Sequence, residues 1–311
     1  MTHPVEMLDI TKRFGKKIAL ESVSLTLPAR SLVGLVGRNG SGKTTLLRHV
    51  VGLYLPTSGE CRTLGTASHY LGPTELERIG FSQQRDNFLD WMRARQLIRY
   101  VSAFYPRWDR DLEEYFVGLL DIDLEARMGT ASPGNVQKVS FVLATCHHPE
   151  LLLLDEPLSD LDPIARHDVL TILLDRFERD DVTMVISSHL LYDIERIVES
   201  IVCLEKGRIV ADATLDELKE NFAEWMVTSR EGLLPYRYDP AYVITSEGDR
   251  FQARMVVRDP ESHLAQFRSA YSAQVESHPL RLEAIFPLLV GNGGKTAAWS
   301  GRPGSRVEVE A

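Results

Sequence analysis

Eight residues, Gly37-Arg38-Asn39-Gly40-Ser41-Gly42-Lys43-Thr44, follow the apolar run Ser31-Leu32-Val33-Gly34-Leu35-Val36 and lead into a helical stretch from Thr44 to Gly52. They fit the pattern G-x-x-x-x-G-K-[ST]. At average residue frequencies, a chance match somewhere in about 300 positions has odds on the order of 1%. A buried strand before the loop and a helix after it narrow those odds further. Glycines let the backbone curl so that successive N–H groups point at phosphate oxygens. The helix N-terminus adds positive potential. Lys43 supplies a charge for the β- and γ-phosphates, and the Thr44 hydroxyl is placed to ligate a magnesium ion that bridges them. The loop predicts nucleotide binding.

A second feature fits the same chemistry. Leu151-Leu152-Leu153-Leu154 ends in Asp155-Glu156. An acid at the end of a buried strand beside a phosphate loop is where a magnesium partner belongs. Asp155 takes that role through water. In an extended chain Glu156 points the other way and can polarise an attacking water.

The surrounding pattern predicts an α/β fold. Val5–Ile10 and Ile18–Leu25 alternate as two strands around a turn at Phe14-Gly15-Lys16. Further strands are predicted at residues 78–82, 151–154 and 182–187, the last two each followed by a helical stretch. Continuous apolar strands alternating with helices argue for a mostly parallel sheet. Residues 90–128 read as helical, with Pro106 breaking the run. Ser200–Glu205 and Arg208–Ala211 form a strand pair that turns at Lys206-Gly207, and a charged helix over Leu215–Asn221 closes the domain. Beyond it, strands at 227–230, 242–246 and 251–257 and helices at 264–271 and 280–290 suggest a small α+β appendage. The Gly-rich tail from Gly291 is expected to lack fixed structure.

Composition excludes several classes. The chain has 311 residues, 35 Lys plus Arg against 44 Asp plus Glu, and a net charge of −9. Free nucleic-acid binding depends on neutralising phosphates, so no nucleic-acid partner is expected. No apolar run approaches the roughly 20 residues that span a bilayer. The N-terminal MTHPVEMLDI shows no secretory leader pattern. The three cysteines, Cys61, Cys146 and Cys203, are far apart and form no CxxC pair. A cytoplasmic protein that reaches the membrane through a partner is expected.

Over about residues 4–220 the chain resembles the ATP-binding subunits of ABC transporters. Several motifs stand in that family's order. Phe14 sits where the family places an aromatic that stacks on adenine. Gln84 falls at the family's lid glutamine, which contacts magnesium and senses the membrane partner; Gln83 is the poorer choice by alignment. Ser159-Asp160-Leu161-Asp162 resembles the loop that crosses between subunits. His189 resembles the histidine that holds the γ-phosphate and the attacking water. The resemblance implies a P-loop ATPase core with an antiparallel N-terminal β subdomain and a helical subdomain over about 85–131, within a nucleotide-binding domain over 1–220. An accessory domain over 221–290 and a tail over 291–311 would follow.

The family signature, a Leu-Ser-Gly-Gly-Gln run, is altered here to Ala131-Ser132-Pro133-Gly134-Asn135. Ser132 keeps the hydroxyl and Gly134 the open backbone. Pro133 has no N–H, and Asn135 is shorter than glutamine. A working loop with fewer donors is favoured over a degenerate half-site that needs a different ATPase partner, because every residue for hydrolysis in cis is present. The implied cofactors are ATP and Mg2+. The implied ATP contacts are Phe14, residues 37–45 including Thr45, Ser132, Gly134 and Asp162. Thr44, Gln84 and Asp155 would serve the metal, and Glu156, His189 and Gln84 the catalysis. Two nucleotide domains would meet head to tail, a homodimer being favoured over a heterodimer. They would act on an integral membrane subunit, with Phe88, Leu89 and Trp91 lining its docking groove. Phe104-Tyr105-Pro106-Arg107-Trp108-Asp109 and Pro149-Glu150 resemble exporter-type ATPases of the antimicrobial-peptide and cell-envelope-stress group. The alternatives are a soluble non-transport relative and a regulatory ATPase subunit.

Overall fold

The structure is a computed structural model that describes residues 3–83, 88–229, 231, 234–235, 237–290 and 299–300. The chain divides into two units, Met1–Asp212 and Ala213–Ala311.

The first unit is built from two sheets. Strands β1 (Val5–Phe14), β2 (Lys17–Leu27), β4 (Ser58–Thr63) and β5 (Thr66–Ala67) form an antiparallel sheet in the order β2-β1-β4-β5. Strands β3 (Leu32–Val36), β6 (Ile79–Ser82), β7 (Leu151–Asp155), β8 (Thr183–Ser188), β9 (Ser200–Glu205) and β10 (Arg208–Thr214) lie in the order β10-β9-β3-β8-β7-β6. From β9 to β6 the ladder is parallel. Parallel strands covered on both faces must be apolar throughout. β3 and β7 are accordingly buried at every position.

The core explains the position of the phosphate loop. Helix α1 (Lys43–Val50) packs Leu46, Leu47 and Val50 into a cluster with Val5, Ile10 and Leu25 of the antiparallel sheet and Val33, Leu153 and Val185 of the parallel one. The helix that follows the loop is thereby wedged between the sheets, and its N-terminus stays at the end of β3. The β9–β10 turn at Lys206-Gly207 has both residues at positive φ, the geometry of a tight hairpin.

Helices α3 (Ala94–Ser102) and α4 (Arg110–Leu119) occupy the segment read as helical, and Pro106 falls between them as expected. Asp109 caps α4 by accepting from the Leu112 N–H at 2.9 Å. A third helix, α5 (Pro133–Thr145), has its last seven residues buried. Burial on all sides removes the amphipathic period that marks a surface helix, so the sequence did not announce it. Helix α6 (Pro163–Arg179) follows β7, and the short α7 (Leu191–Ile194) follows β8. β4 and the four-residue α2 (Pro73–Leu76) also escaped the pattern reading. In β4 only Cys61 and Thr63 are buried, so little apolar signal is present.

In the second unit, α8 (Leu215–Asn221) begins with a reciprocal cap between Thr214 and Glu217. Strands β11 (Phe222–Ser229), β12 (Val243–Gly248), β13 (Gln252–Arg258) and β14 (Ala273–Pro279) form an antiparallel sheet in the order β12-β13-β11-β14. Helix α9 (Pro260–Tyr271) sets Phe267 against Trp225, Met255 and Val257, all buried. Helix α10 (Leu282–Val290) completes the α+β arrangement. β14 was not foreseen, because only two of its seven residues are buried. The tail from Gly291 lies outside the described residues apart from Trp299–Ser300, which form a two-residue strand where no fixed structure was expected.

One buried histidine makes the first unit sensitive to acid. His147 follows α5, stacks on Tyr105 with ring centroids 4.1 Å apart, and places Nε2 3.2 Å from the Ile79 carbonyl. Burial pushes its pKa down to about 4. The unfolded chain binds this proton near the ordinary value of 6.5. Stability is therefore full above pH 6.5 and is lost as pH falls toward the folded value. Between pH 7 and pH 5 the loss from this group is about 2 kcal/mol. Urea unfolding at those two pH values should show it, and His147→Gln should flatten the difference.

Candidate functional site

The phosphate loop is shaped by two glycines with no room for a side chain. A Cβ on Gly42, which has φ +116°, would stand 2.7 Å from the Ala19 carbonyl oxygen. One on Gly37 would collide with the Leu204 carbonyl. The Ser41 N–H donates to Arg38 O at 3.1 Å, and the Gly207 N–H donates to Ser41 O at 2.8 Å. Arg38, Asn39 and Gly40 form the exposed rim of the turn, while Thr44 and Thr45 are half-buried in the first turn of α1. The Ser41 hydroxyl is buried with no partner among the described residues.

Lys43 is buried and crosses the loop. Its Nζ donates to Gly37 O at 2.8 Å and stands 3.1 Å from Glu156 Oε1. Glu156 Oε2 accepts from the backbone N–H of His189 at 3.2 Å and lies 2.7 Å from His189 Nδ1. Facing a carboxylate, Nδ1 is the donor, so Nε2 is the ring atom left to meet another group. Three residues from α1, the end of β7 and the end of β8 therefore converge. Glu156 sits at φ +54°, sparsely populated for a residue with a side chain. Such strain persists only where the surroundings hold it.

Asp155 is fully buried, and its Oδ1 accepts from the Ser187 hydroxyl at 2.6 Å. Oδ2 has no partner among the described residues. A buried carboxylate oxygen left unpaired is costly unless something polar completes it. No group of three or more His, Cys, Asp or Glu side chains clusters as a metal cage among the described residues. Magnesium keeps waters and phosphate oxygens and takes only one or two protein ligands. The buried, unpaired Asp155 Oδ2 fits such an ion.

Ser132 is the N-cap of α5, its hydroxyl oxygen accepting from the Asn135 N–H at 3.2 Å. No acceptor for its own proton is found among the described residues. Pro133 stands in the first turn, where the helix needs no N–H from it. Asn135 clamps Asp123 at two points, accepting from its N–H at 2.8 Å and donating to its carbonyl at 3.2 Å. A Cβ on Gly134 would lie 2.8 Å from Asp160 O. The bare backbone is thus already demanded within one chain, by the loop after β7. Asp162 caps α6, accepting from the Ile164 and Ala165 N–H groups at 2.9 and 3.0 Å. Those amides, that of Ala165 foremost, hold its carboxyl below the ordinary value.

Phe14 is 44% exposed, packs edge-on against Tyr54 at 5.4 Å and has Lys12 Nζ 5.1 Å from its ring centre. Gln84 lies outside the described residues. Gln83 is occupied, accepting from Arg48 Nε at 3.1 Å. The sequence reading picked out Lys43, Glu156 and His189, which the structure brings into contact, and Asp155, which bonds Ser187. It passed over Ser187, quoted only as a neighbour of His189. The signal was available: a serine that closes an apolar strand is buried and must find a partner.

An ABC transporter family model matches residues 20–159. The ATP-binding protein YtrB of an ABC transporter from Bacillus subtilis (strain 168) is 32% identical over 220 residues, covering 70% of this chain and 74% of that one. The chain belongs to the ATP-binding subunits of ABC transporters. The Nod factor export ATP-binding protein I of Rhizobium sp. (strain N33) is 27% identical over 298 residues, 92% of this chain and 97% of that one. A solved ATP-binding subunit of an ABC transporter superposes with a TM-score of 0.63 at 25% identity, covering 70% of this chain and 92% of that chain. The ABC subunit binds and hydrolyses ATP and energises a separate membrane subunit. No helix among the described residues is long and apolar enough to cross a membrane itself.

Proposed function

We propose that this ABC subunit works as a head-to-tail dimer on the inner face of the cell membrane and drives export. The convergence of Lys43, Glu156 and His189 at the phosphate loop carries the reading. The loop amides and Lys43 grip the β- and γ-phosphates, and Phe14 stacks on the adenine. Asp155 and Thr44, with Gln84, would hold the magnesium ion. When bound, that ion would supply positive charge that screens the charge developing on the phosphates. Glu156 takes a proton from the attacking water, and His189 steadies that water and the γ-phosphate. Ser132 and Gly134 of one subunit cap the γ-phosphate held by the other. Asp162 shapes the crossing loop between them. Loss of the γ-phosphate removes the bridge, and the dimer reopens.

The ordered cap at Ser132 favours a working signature loop over a degenerate half-site. A homodimer therefore suffices. The Nod factor export relative, which aligns along nearly its whole length, supports export. Leu89 and Trp91, 41% and 66% exposed, with half-buried Phe88, support a docking face for a cytoplasmic helix of the membrane subunit. Affinity capture from detergent-solubilised membranes tests this. The wild-type chain should recover an integral membrane protein, and Trp91→Ala should recover at least several-fold less. Equal recovery with the variant would remove this face from the interface. No membrane protein at all would favour a soluble relative.

A further inference from the structure

We infer that Ser187 is a positioning residue for the hydrolytic reaction, setting both acidic side chains of the site through one hydroxyl. The residue lies on β8 between β3 and β7, opposite Leu35 on one side and Asp155 on the other. It is fully buried. Its hydroxyl donates to Asp155 Oδ1 at 2.6 Å and accepts from the Glu156 N–H at 2.9 Å. The Ser187 carbonyl accepts from the same Glu156 N–H at 3.1 Å.

A hydroxyl has one proton to give. Here that proton is committed to Asp155 Oδ1, which anchors that oxygen and leaves Oδ2 as the one unpaired among the described residues. The lone pair of the same oxygen holds the Glu156 amide, at the residue where φ is +54°. The hydrogen bonds thus hold the strained backbone that aims Glu156 at Lys43 and His189. Alanine would leave a buried carboxylate oxygen without its donor and remove one of the two acceptors at the strained amide. Threonine keeps the hydroxyl and suits a strand. Partners one step removed from a metal ligand govern affinity or activity by about 10–100-fold.

The inference rests on the reading of Asp155 as the magnesium holder, and the test separates the two. The full chain is titrated with Mg2+ while binding a non-hydrolysable ATP analogue, and turnover is measured in parallel. Ser187→Ala should raise the half-saturating Mg2+ concentration and lower kcat, each about tenfold or more. Analogue affinity in EDTA should stay within about twofold, since the loop amides are untouched. Ser187→Thr should restore both properties. A purely structural role would lower the melting temperature and the active fraction and leave the Mg2+ requirement where it was. That result, in a variant folded by circular dichroism, would overturn the inference. Should Ser187→Ala fail to fold, Ser187→Cys, close in volume and a weak donor, carries the same comparison. Asp155→Asn is the control. If it leaves the Mg2+ requirement unchanged, the metal reading of Asp155 fails instead.

Discussion

Glu156→Gln should bind ATP with near-normal affinity and lose about 10²–10⁴-fold in kcat, the range that a positioned general base supplies. The amide is close in size, and its one carbonyl oxygen can face either the His189 N–H, now 3.2 Å from Glu156 Oε2, or Lys43, but not both. It cannot take a proton from water. Lys43, 3.1 Å from Glu156 Oε1, keeps its second tie to the Gly37 carbonyl at 2.8 Å. Binding thus survives while chemistry stops, and ATP should hold the subunits together. Size-exclusion chromatography with and without ATP reads this directly. A variant that turns over at the wild-type rate would remove Glu156 as the base.

Lys43→Ala should act on binding first. A charge-assisted hydrogen bond contributes about 1.5–3 kcal/mol, and each 1.4 kcal/mol is tenfold. ATP affinity should therefore fall by about 10–100-fold. The variant should also be less stable, because Lys43 and Glu156 form an ion pair with both side chains almost wholly buried. Removing one partner of a buried pair costs about 3–5 kcal/mol. Calorimetry with ATP and urea unfolding without it separate the two effects. The double variant Lys43→Ala with Glu156→Gln should recover part of the lost stability, since no unpaired carboxylate remains. Unchanged affinity in the single variant would contradict the placement of Lys43 on the phosphates.

The phosphate loop and the acidic pair could be read from sequence because each is a local pattern. Gly37, Gly42 and Lys43 are fixed by backbone geometry within one turn. Asp155 follows directly from the leucine run that buries β7. Phe14 and the altered signature became legible through family resemblance. The structure adds the reasons for two departures from the family pattern. Asn135 has the length that closes the clamp on Asp123, and Pro133 sits where a helix start needs no donor. Hidden from sequence were relations between distant segments. Ser187 meets Asp155 across 32 residues, and Gly134 meets the Asp160 carbonyl across the whole of β7. α5 and β4 were missed for opposite reasons, one being buried on too many sides and the other on too few.

In the proposed dimer, the loop, the acidic pair and the signature of this one chain make a complete hydrolytic site when two copies meet. Steady-state ATP hydrolysis by the purified protein over a range of protein concentrations tests it, with Glu156→Gln alongside. Turnover per chain that rises with concentration, and vanishes in the variant, is the predicted result. Turnover that stays feeble at every concentration, with ATP binding intact, would contradict the claim and point to a second, different ATPase subunit.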